Sequence, residues 1–276
     1  MEWFELLKAL ILGFVEGMTE FAPVSSTGHM IIVDDMWLQT KEFLGSGSAN
    51  TFKIVIQLGS ILAVVVVMWK RILSIVGLYK MEGQGQQSQR FNLGHVIVGI
   101  IPAGVFGVLF EDFIDENLFS INTVIVGLIV GAIFMIIADK FGPKRPAITS
   151  LDEISYSKAL KIGLIQCLSL WPGFSRSGST ISGGVLLGLD HKTAADFTFI
   201  MAVPIMAGAS GLSLVKNWDQ INIDHLSFYV VGFISAFIFA LLSIKFFLKL
   251  ISKVKLMPFA IYRIVLALVL IFVIFV

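Results

Sequence analysis

Long hydrophobic stretches alternate with short polar segments along the whole chain. A helix needs about 20 mainly apolar residues to cross the hydrocarbon core of a bilayer. Six stretches are long enough, and they cover residues 52–69, 93–110, 118–138, 197–215, 226–244 and 256–276. The pattern therefore predicts an all-α polytopic membrane protein with six transmembrane helices.

Two further hydrophobic regions, 6–33 and 159–189, are each interrupted by a run rich in Pro, Ser and Gly. The interruption leaves neither half of either region long enough to span the bilayer. Broken backbone at membrane depth is tolerated only where it is buried in protein or lines a cavity. We therefore predict that each region forms a re-entrant helical hairpin, which enters and leaves the membrane on one side.

The two interruptions resemble each other. The first reads GFVEGMTEFAPVSSTGH from Gly13 to His29, and the second reads GLIQCLSLWPGFSRSGS from Gly163 to Ser179. Each begins as an apolar helix, meets a proline, and then breaks into small and hydroxyl-bearing residues. This similarity indicates an internal repeat.

The repeat divides a single membrane domain, 1–276, into a first copy at 1–140 and a second copy at 150–276. Each copy holds one hairpin and three spans. Because three crossings turn the second copy upside down relative to the first, the sequence predicts an inverted-topology repeat. Proteins of this architecture bind their ligands near the bilayer midplane, where the copies meet.

The charges of the loops predict the orientation. Lysine and arginine are concentrated in loops 70–92, 139–161 and 245–255, whereas the loops near 111–116 and 216–224 are acidic or mixed. Cytoplasmic loops carry an excess of basic residues, so the three basic loops are predicted to be cytoplasmic. Both termini and the entrance of the first hairpin would then face the outside.

Composition agrees with a membrane location. The chain is 57% hydrophobic and only 14% charged, whereas a soluble domain is about 25% charged. The net charge is +1 and no basic tract is present, so we expect no nucleic-acid partner. The single cysteine, Cys167, excludes an internal disulfide.

Two acidic residues, Glu16 and Glu20, lie in the first interrupted region. They are four residues apart and therefore share one face of a helix. Carboxylates inside a membrane are costly, and they mark functional sites by default. They are candidate ligands of a divalent cation such as Mg²⁺ or Ca²⁺, which takes oxygen ligands. Alternatively, one of them acts as a general base, or the helix end simply reaches the headgroups.

Hydroxyl groups and a histidine follow at the first break. Ser25 and Thr27 are candidate helix caps, because Ser and Thr favour that position. Ser26 and His29 allow a second interpretation, in which a hydroxyl nucleophile has a base nearby. The spacing of Ser26 and His29 along the chain does not show whether they touch.

The second break, PGFSRSGST at residues 172–180, contains a candidate anion site. Arg176 lies in a half-span, where an unpaired guanidinium is expensive, and its fork of donors matches phosphate or carboxylate oxygens. Gly173 lets backbone N–H groups approach an anion. The alternative is that Arg176 pairs with Glu16 or Glu20 only to hold the repeats together. The hydroxyl-bearing neighbours are Ser175, Ser177 and Thr180.

Both breaks resemble signatures of a known family. Residues 16–29, EGMTEFAPVSSTGH, resemble the glutamate-rich signature of the bacterial undecaprenyl-diphosphate phosphatase family, also called the bacitracin-resistance family. Residues 172–180 resemble its second signature, and FAIYR at 259–263 is also similar. The resemblance implies hydrolysis of undecaprenyl diphosphate to undecaprenyl phosphate and inorganic phosphate. This reaction recycles the lipid carrier of peptidoglycan synthesis and confers bacitracin resistance.

The resemblance also implies roles for the motif residues. Glu16 and Glu20 would bind a divalent cation or move protons. Ser26 would be the nucleophile, with His29 as its base or as the acid for the leaving group, and Arg176 would hold the diphosphate. The other residues expected at the diphosphate are Ser25, Thr27, Gly173, Ser175, Ser177 and Thr180.

The family also implies a location and partners. The protein would lie in the bacterial inner membrane with its site open to the outer side, and it would act on a polyprenyl diphosphate lipid within the bilayer. A homodimer is left open. So is the choice between a phosphoserine at Ser26 and direct attack by water.

A transporter is the main alternative, because inverted repeats with broken helices are the usual plan of transporters. A flippase for a polyprenyl phosphate lipid belongs to that class. The pairing of Ser26 with His29 favours the phosphatase, since transport needs no nucleophile.

Overall fold

The computed structural model describes residues 3–79, 91–216 and 218–275, and these residues are almost entirely helical, with no β-strand among them. Part of the basic loop predicted at 70–92 lies outside the described residues. The α-helices are α1 (Trp3–Thr19), α2 (Ser26–Met30), α3 (Thr40–Leu44), α4 (Ser46–Val67), α5 (Trp69–Ile75), α6 (Leu93–Leu109), α7 (Glu111–Asn117), α8 (Ile121–Phe141), α9 (Tyr156–Gln166), α10 (Arg176–Leu186), α11 (His191–Lys216), α12 (Leu226–Val254) and α13 (Met257–Phe275).

The prediction of several membrane-spanning helices is confirmed. Five helical segments are long and apolar enough to cross a bilayer, namely α4, α8, α11, α13 and α12 with the turn that precedes it. A sixth span is formed if α6 and α7 are taken together, with a bend of 68° between them. Many apolar side chains on these helices are exposed, as in Phe272 of α13, which is 65% exposed. Such faces are suited to contact with lipid.

Each interrupted region forms two helices separated by an irregular break, as its sequence predicts. In the first region α1 ends at Thr19 and α2 begins at Ser26, and the chain continues as a π-helical segment, Ile31–Leu38. In the second region α9 passes through a short 3₁₀ turn before the break, and α10 begins at Arg176. Each break delivers polar residues to the start of a new helix.

The two breaks end in the same local geometry. Ser25 has φ 69° and caps α2, with its Oγ accepting from the N–H of Gly28 at 3.4 Å. Ser175 has φ 73° and caps α10, with its Oγ accepting from the N–H of Gly178 at 3.2 Å. A positive φ is strained for serine. The same strained cap, repeated 150 residues apart, indicates that the two breaks have equivalent local structures.

The two halves of the chain contact each other through equivalent glycines. Gly13 of α1 lies against the carbonyl oxygen of Gly232 in α12, and Gly163 of α9 lies against the carbonyl oxygen of Gly99 in α6. A methyl group at either Gly13 or Gly163 would overlap that oxygen, so only glycine permits the close packing. The contacts are reciprocal, because the first helix of each interrupted region packs against a spanning helix of the other half.

Polar contacts connect the basic loops to one another. Arg71 donates two hydrogen bonds to the carboxylate of Asp152, at 3.2 and 2.9 Å. Asp139 accepts from the backbone N–H groups of Leu256 and Met257 at 2.9 and 2.8 Å. The first contact joins the start of loop 70–92 to loop 139–161. The second joins loop 139–161 to the residues that follow loop 245–255. The described parts of these loops therefore lie close together.

Candidate functional site

The two breaks meet at Glu20. Its Oε2 accepts a hydrogen bond of 2.7 Å from the hydroxyl of Ser26, and its Oε1 accepts one of 3.0 Å from Nη2 of Arg176. Ser26 begins α2 and Arg176 begins α10, so one carboxylate joins the starts of the two helices that follow the breaks. The Glu20 and Arg176 side chains are only 10% and 12% exposed. A polar centre of this kind within a membrane bundle marks a functional site.

Arg176 is held by groups from several elements. Besides Glu20, its guanidinium donates to the carbonyl oxygen of Thr198 at 3.4 Å and approaches the sulfur of Met206 at 3.2 Å. Its carbon Cζ lies 5.8 Å from the ring centre of Phe21. These contacts fix the planar guanidinium in one orientation beside the break.

Several hydroxyl groups predicted to bind diphosphate are used inside the protein. The Ser177 hydroxyl donates to the carbonyl oxygen of Ala22 at 3.1 Å and joins the second break to the first. The Thr180 hydroxyl donates to the carbonyl oxygen of Arg176 at 2.8 Å. Ser177 and Thr180 are both 1% exposed. In this structure they support the backbone around Arg176, while Ser175 and Gly173 line a cavity beside it.

His29 contacts a different residue from the one its spacing suggests. Its Nδ1 lies 2.8 Å from the carbonyl oxygen of Ser25, and its Nε2 lies 2.7 Å from the hydroxyl of Tyr262 in α13. The His29 and Tyr262 rings are stacked with centres 5.6 Å apart. The hydroxyl of Ser26 is bonded to Glu20 instead. The structure therefore places a carboxylate, and not an imidazole, next to the candidate nucleophile.

Glu16 lies one turn before Glu20 on α1 and is 6% exposed. It lines a cavity of ≈ 530 Å³ together with Glu20, Ser26 and Thr27. Within the described residues, no group of three or more His, Cys, Asp or Glu side chains is placed to hold a metal ion. Glu16 and Glu20 would therefore be at most two of the ligands that a bound ion needs.

Two neighbouring cavities have Glu20 in their walls. The smaller, of ≈ 210 Å³, lies between the breaks and is lined by Ser25, Gly173, Ser175 and Arg176 among others. The larger, which we call the vestibule, is the ≈ 530 Å³ cavity named above. Residues common to both are Glu20, Ser26, Thr27 and Gln57. The vestibule extends from this shared wall to three charged residues, Asp35, Lys41 and Lys53.

Two residues at the site received no role from the sequence. Arg263 is completely buried, and its Nη2 donates to the carbonyl oxygens of Gly127 at 3.1 Å and Gly173 at 2.8 Å. It therefore fastens the second break, while its neighbour Tyr262 contacts His29 at the first. Arginine is rare within an apolar membrane helix, so Arg263 in the sequence of α13 could have indicated a role at the site.

The sequence matches the family described as bacitracin resistance protein BacA over residues 9–269. A protein named undecaprenyl-diphosphatase from Exiguobacterium sibiricum is 72% identical over 268 residues, which cover 96% of both chains. Proteins of the same name from Geobacillus thermodenitrificans and Bacillus subtilis are 62% and 58% identical, and the alignments cover 100% and 98% of this chain and the same shares of the relatives. The similarity extends over both breaks and all the helices between them. The chain therefore belongs to the bacitracin resistance protein BacA family.

Proposed function

We propose that this protein is an integral membrane phosphatase that hydrolyses undecaprenyl diphosphate to undecaprenyl phosphate and inorganic phosphate. The observation that carries the proposal is the Ser26–Glu20–Arg176 arrangement, in a chain whose full-length relatives are named for this activity. A hydroxyl nucleophile, a carboxylate base and a guanidinium that binds phosphate oxygens can together transfer a phosphoryl group. The reaction would recycle the lipid carrier of peptidoglycan synthesis and underlie resistance to bacitracin.

In the proposed reaction Arg176 binds oxygens of the terminal phosphate. Ser26 Oγ attacks the phosphorus atom and its proton passes to Glu20 Oε2, which already accepts that hydroxyl at 2.7 Å. The bond from phosphorus to the bridging oxygen breaks, and undecaprenyl phosphate leaves with the electron pair of that bond. Water then attacks the phosphoserine, releases inorganic phosphate and restores the hydroxyl. General-base help of this kind contributes about 100- to 10,000-fold to a rate.

His29 takes a positioning role in this proposal. It is bonded to the Ser25 carbonyl and to Tyr262, so it connects the capped start of α2 to α13. That connection fixes the backbone from which the Ser26 side chain projects. Within this scheme, Ser177 and Thr180 likewise hold the backbone of Arg176 rather than the substrate.

A divalent cation fits the site if the substrate supplies part of its coordination. Mg²⁺ typically binds one or two protein carboxylates together with substrate phosphates and water. Glu16 and Glu20 line one wall of the vestibule and would hold the ion there. When bound, the ion would neutralise charge on the diphosphate. Both oxygens of Glu20 are already bonded to protein groups, so Glu16 is the better placed ligand.

The direct test is phosphate release from undecaprenyl diphosphate by the purified protein. We expect turnover in the presence of Mg²⁺ or Ca²⁺, and loss of turnover when a chelator removes the ion. Absence of phosphate release under every metal condition would contradict the proposed activity. Turnover that is unaffected by a chelator would remove the cation from the proposal and leave the Ser26–Glu20–Arg176 centre in place.

The finer architecture that we propose is an inverted repeat of six spans and two re-entrant hairpins. The reciprocal glycine contacts and the two capped serines support it. The same architecture supports the second candidate function, movement of a polyprenyl phosphate lipid across the membrane. Transport into vesicles by a Ser26→Ala variant would distinguish this activity from hydrolysis.

Replacement of Ser26 by alanine is expected to lower turnover by about 100-fold or more, because the attacking oxygen is removed. Ser25→Ala is the matched control. It removes the cap of α2, which costs about 0.5–2 kcal/mol of stability, and it should affect turnover far less. Radioactive phosphate from labelled substrate should be trapped on the wild-type protein and not on Ser26→Ala. A fast Ser26→Ala enzyme would instead favour direct attack by water.

We further propose that both termini and the site face the outer side of the bacterial inner membrane. In a Cys167→Ser background, Asp115→Cys should react from outside with a thiol reagent that does not cross the membrane. Lys144→Cys, in a basic loop, should react only after the cells are broken. Residues 83–88 belong to another basic loop and should behave like Lys144, but they lie outside the described residues. The reverse labelling pattern would overturn this orientation.

A further inference from the structure

An apolar groove of ≈ 820 Å³ runs between α6 and α11. The two helices are in contact near their starts, where Gly99 faces Phe197 and Met201. Farther along they separate, and the groove occupies the space between their second halves. The residues of these helices that line it include Ile101, Val105, Val108, Pro204, Ile205 and Leu212.

The corresponding pair of helices in the other half of the chain does not separate in the same way. By order within the two copies, α4 corresponds to α11 and α12 corresponds to α6. There the helices pack closely, since Gly59 lies against the carbonyl oxygen of Phe233 and Gly232 lies against the ring of Phe52. Among the described residues, the separation of α6 from α11 is therefore not repeated by α12 and α4.

The groove adjoins the polar site. Arg176 and Ser169 line both the groove and the ≈ 210 Å³ cavity between the breaks. At its outer end the groove reaches Lys216 and Glu111, which form an ion pair of 2.9 Å. Its walls face the lipid, and the side chains of Ile101 and Val108 are 50% and 67% exposed. The groove therefore has a guanidinium at one end and mainly apolar side chains along its walls.

We propose that this groove receives the isoprenoid chain of the diphosphate lipid, an inference that rests on the proposed function. The diphosphate lies at Arg176, and the first prenyl units lie between α6 and α11. α11 rises about 18 Å between Pro204 and Lys216, so the remainder of a long chain stays in the bilayer. The vestibule on the other side of Glu20, with Lys41, Lys53 and Asp35, suits water and released phosphate instead.

Small residues keep the groove open. Gly104 of α6 and Gly208 of α11 both line it, and a Cβ built at either glycine meets no other atom within 4 Å. A larger side chain at these positions thus fits without disturbing the helix packing and projects into the space proposed for the prenyl chain. Gly211 offers a matched control, because it is equally uncrowded on α11 but does not line the groove.

The test compares Gly104→Leu, Gly208→Leu and Gly211→Leu with wild-type protein on undecaprenyl diphosphate. We expect kcat/KM to fall about tenfold or more for the two groove variants, mainly through KM, and to stay within about twofold for Gly211→Leu. The value of kcat at saturating substrate should change little, because the reacting groups are untouched. Equal behaviour of all three variants would overturn the proposal, as would a loss confined to kcat.

Photolabelling provides a readout that does not depend on turnover. A prenyl diphosphate with a photoreactive group near its head should label peptides from α6 and α11 in the wild-type protein. Gly208→Leu should reduce that labelling, and Gly211→Leu should not. Labelling of the vestibule residues on α4 and α8 would overturn the groove assignment. If the wild-type protein releases no phosphate yet labels α6 and α11, the activity is wrong and the lipid groove stands.

Discussion

Replacing Glu20 by glutamine is expected to lower turnover by about 100- to 10,000-fold, the range of a lost general base. The glutamine oxygen can still accept the Ser26 hydrogen bond, but it cannot take the proton that must leave the hydroxyl during attack. The amide also removes the negative charge that orients Arg176 at 3.0 Å. The measurement is phosphate release by purified Glu20→Gln, with its melting temperature recorded beside it.

Glu42→Gln is the matched control for this substitution, because Glu42 is an exposed carboxylate on α3 that lines neither cavity at the breaks. It should leave both turnover and melting temperature unchanged. Turnover of Glu20→Gln within a few-fold of wild type would remove Glu20 from the mechanism. Such a result would transfer the role of base to water or to the substrate itself.

Arg176→Lys is expected to be nearly as damaging as Arg176→Ala. Lysine keeps the positive charge. If Arg176 only balanced the charge of Glu20, the variant would therefore retain part of its activity. What lysine lacks is the planar fork that grips two oxygens of one phosphate. Loss of one preorganised donor typically costs about 100- to 1000-fold in rate. The loss should appear in kcat as well as in KM, because charge on the phosphate shifts during transfer.

Arg71→Lys is a matched control, because it also replaces a guanidinium that donates two hydrogen bonds to one group. Arg71 also grips a carboxylate with two donors, but its partner Asp152 belongs to the basic loops. The substitution should lower the melting temperature and leave turnover near that of wild type. If Arg176→Lys also works within a few-fold of wild type, Arg176 is a structural link between the breaks and the proposed diphosphate site is wrong.

The helices and the breaks were predictable because they depend on local patterns. Runs of apolar residues set the spans. Pro23 lies four residues after the end of α1, and Pro172 lies shortly after the 3₁₀ turn that follows α9, where a proline disfavours continued helix. On the sequence alone, both Glu16 and Glu20 were possible partners of Arg176. The structure shows the pair with Glu20 at 3.0 Å, and the binding of phosphate by Arg176 stays a proposal.

The partner of Ser26 was not predictable from spacing. Three residues separate Ser26 from His29, which favours contact along a helix, yet the His29 ring is bonded to Tyr262, 233 residues away. Packing of α13 against α2 cannot be seen in a local pattern. The same limit applies to Arg263, whose partners Gly127 and Gly173 come from two other parts of the chain. The use of Ser177 and Thr180 in backbone support depends on equally distant contacts.

The contacts of α13 have a consequence for how the protein is made. Tyr262 and Arg263 are neighbours, and one contacts the first break while the other fastens the second. Translation produces them after Glu20, Ser26 and Arg176 have left the ribosome. Until α13 inserts, a nascent chain carries every reacting group, but each break lacks its contact with α13. Full activity is therefore expected to be a late event in biogenesis.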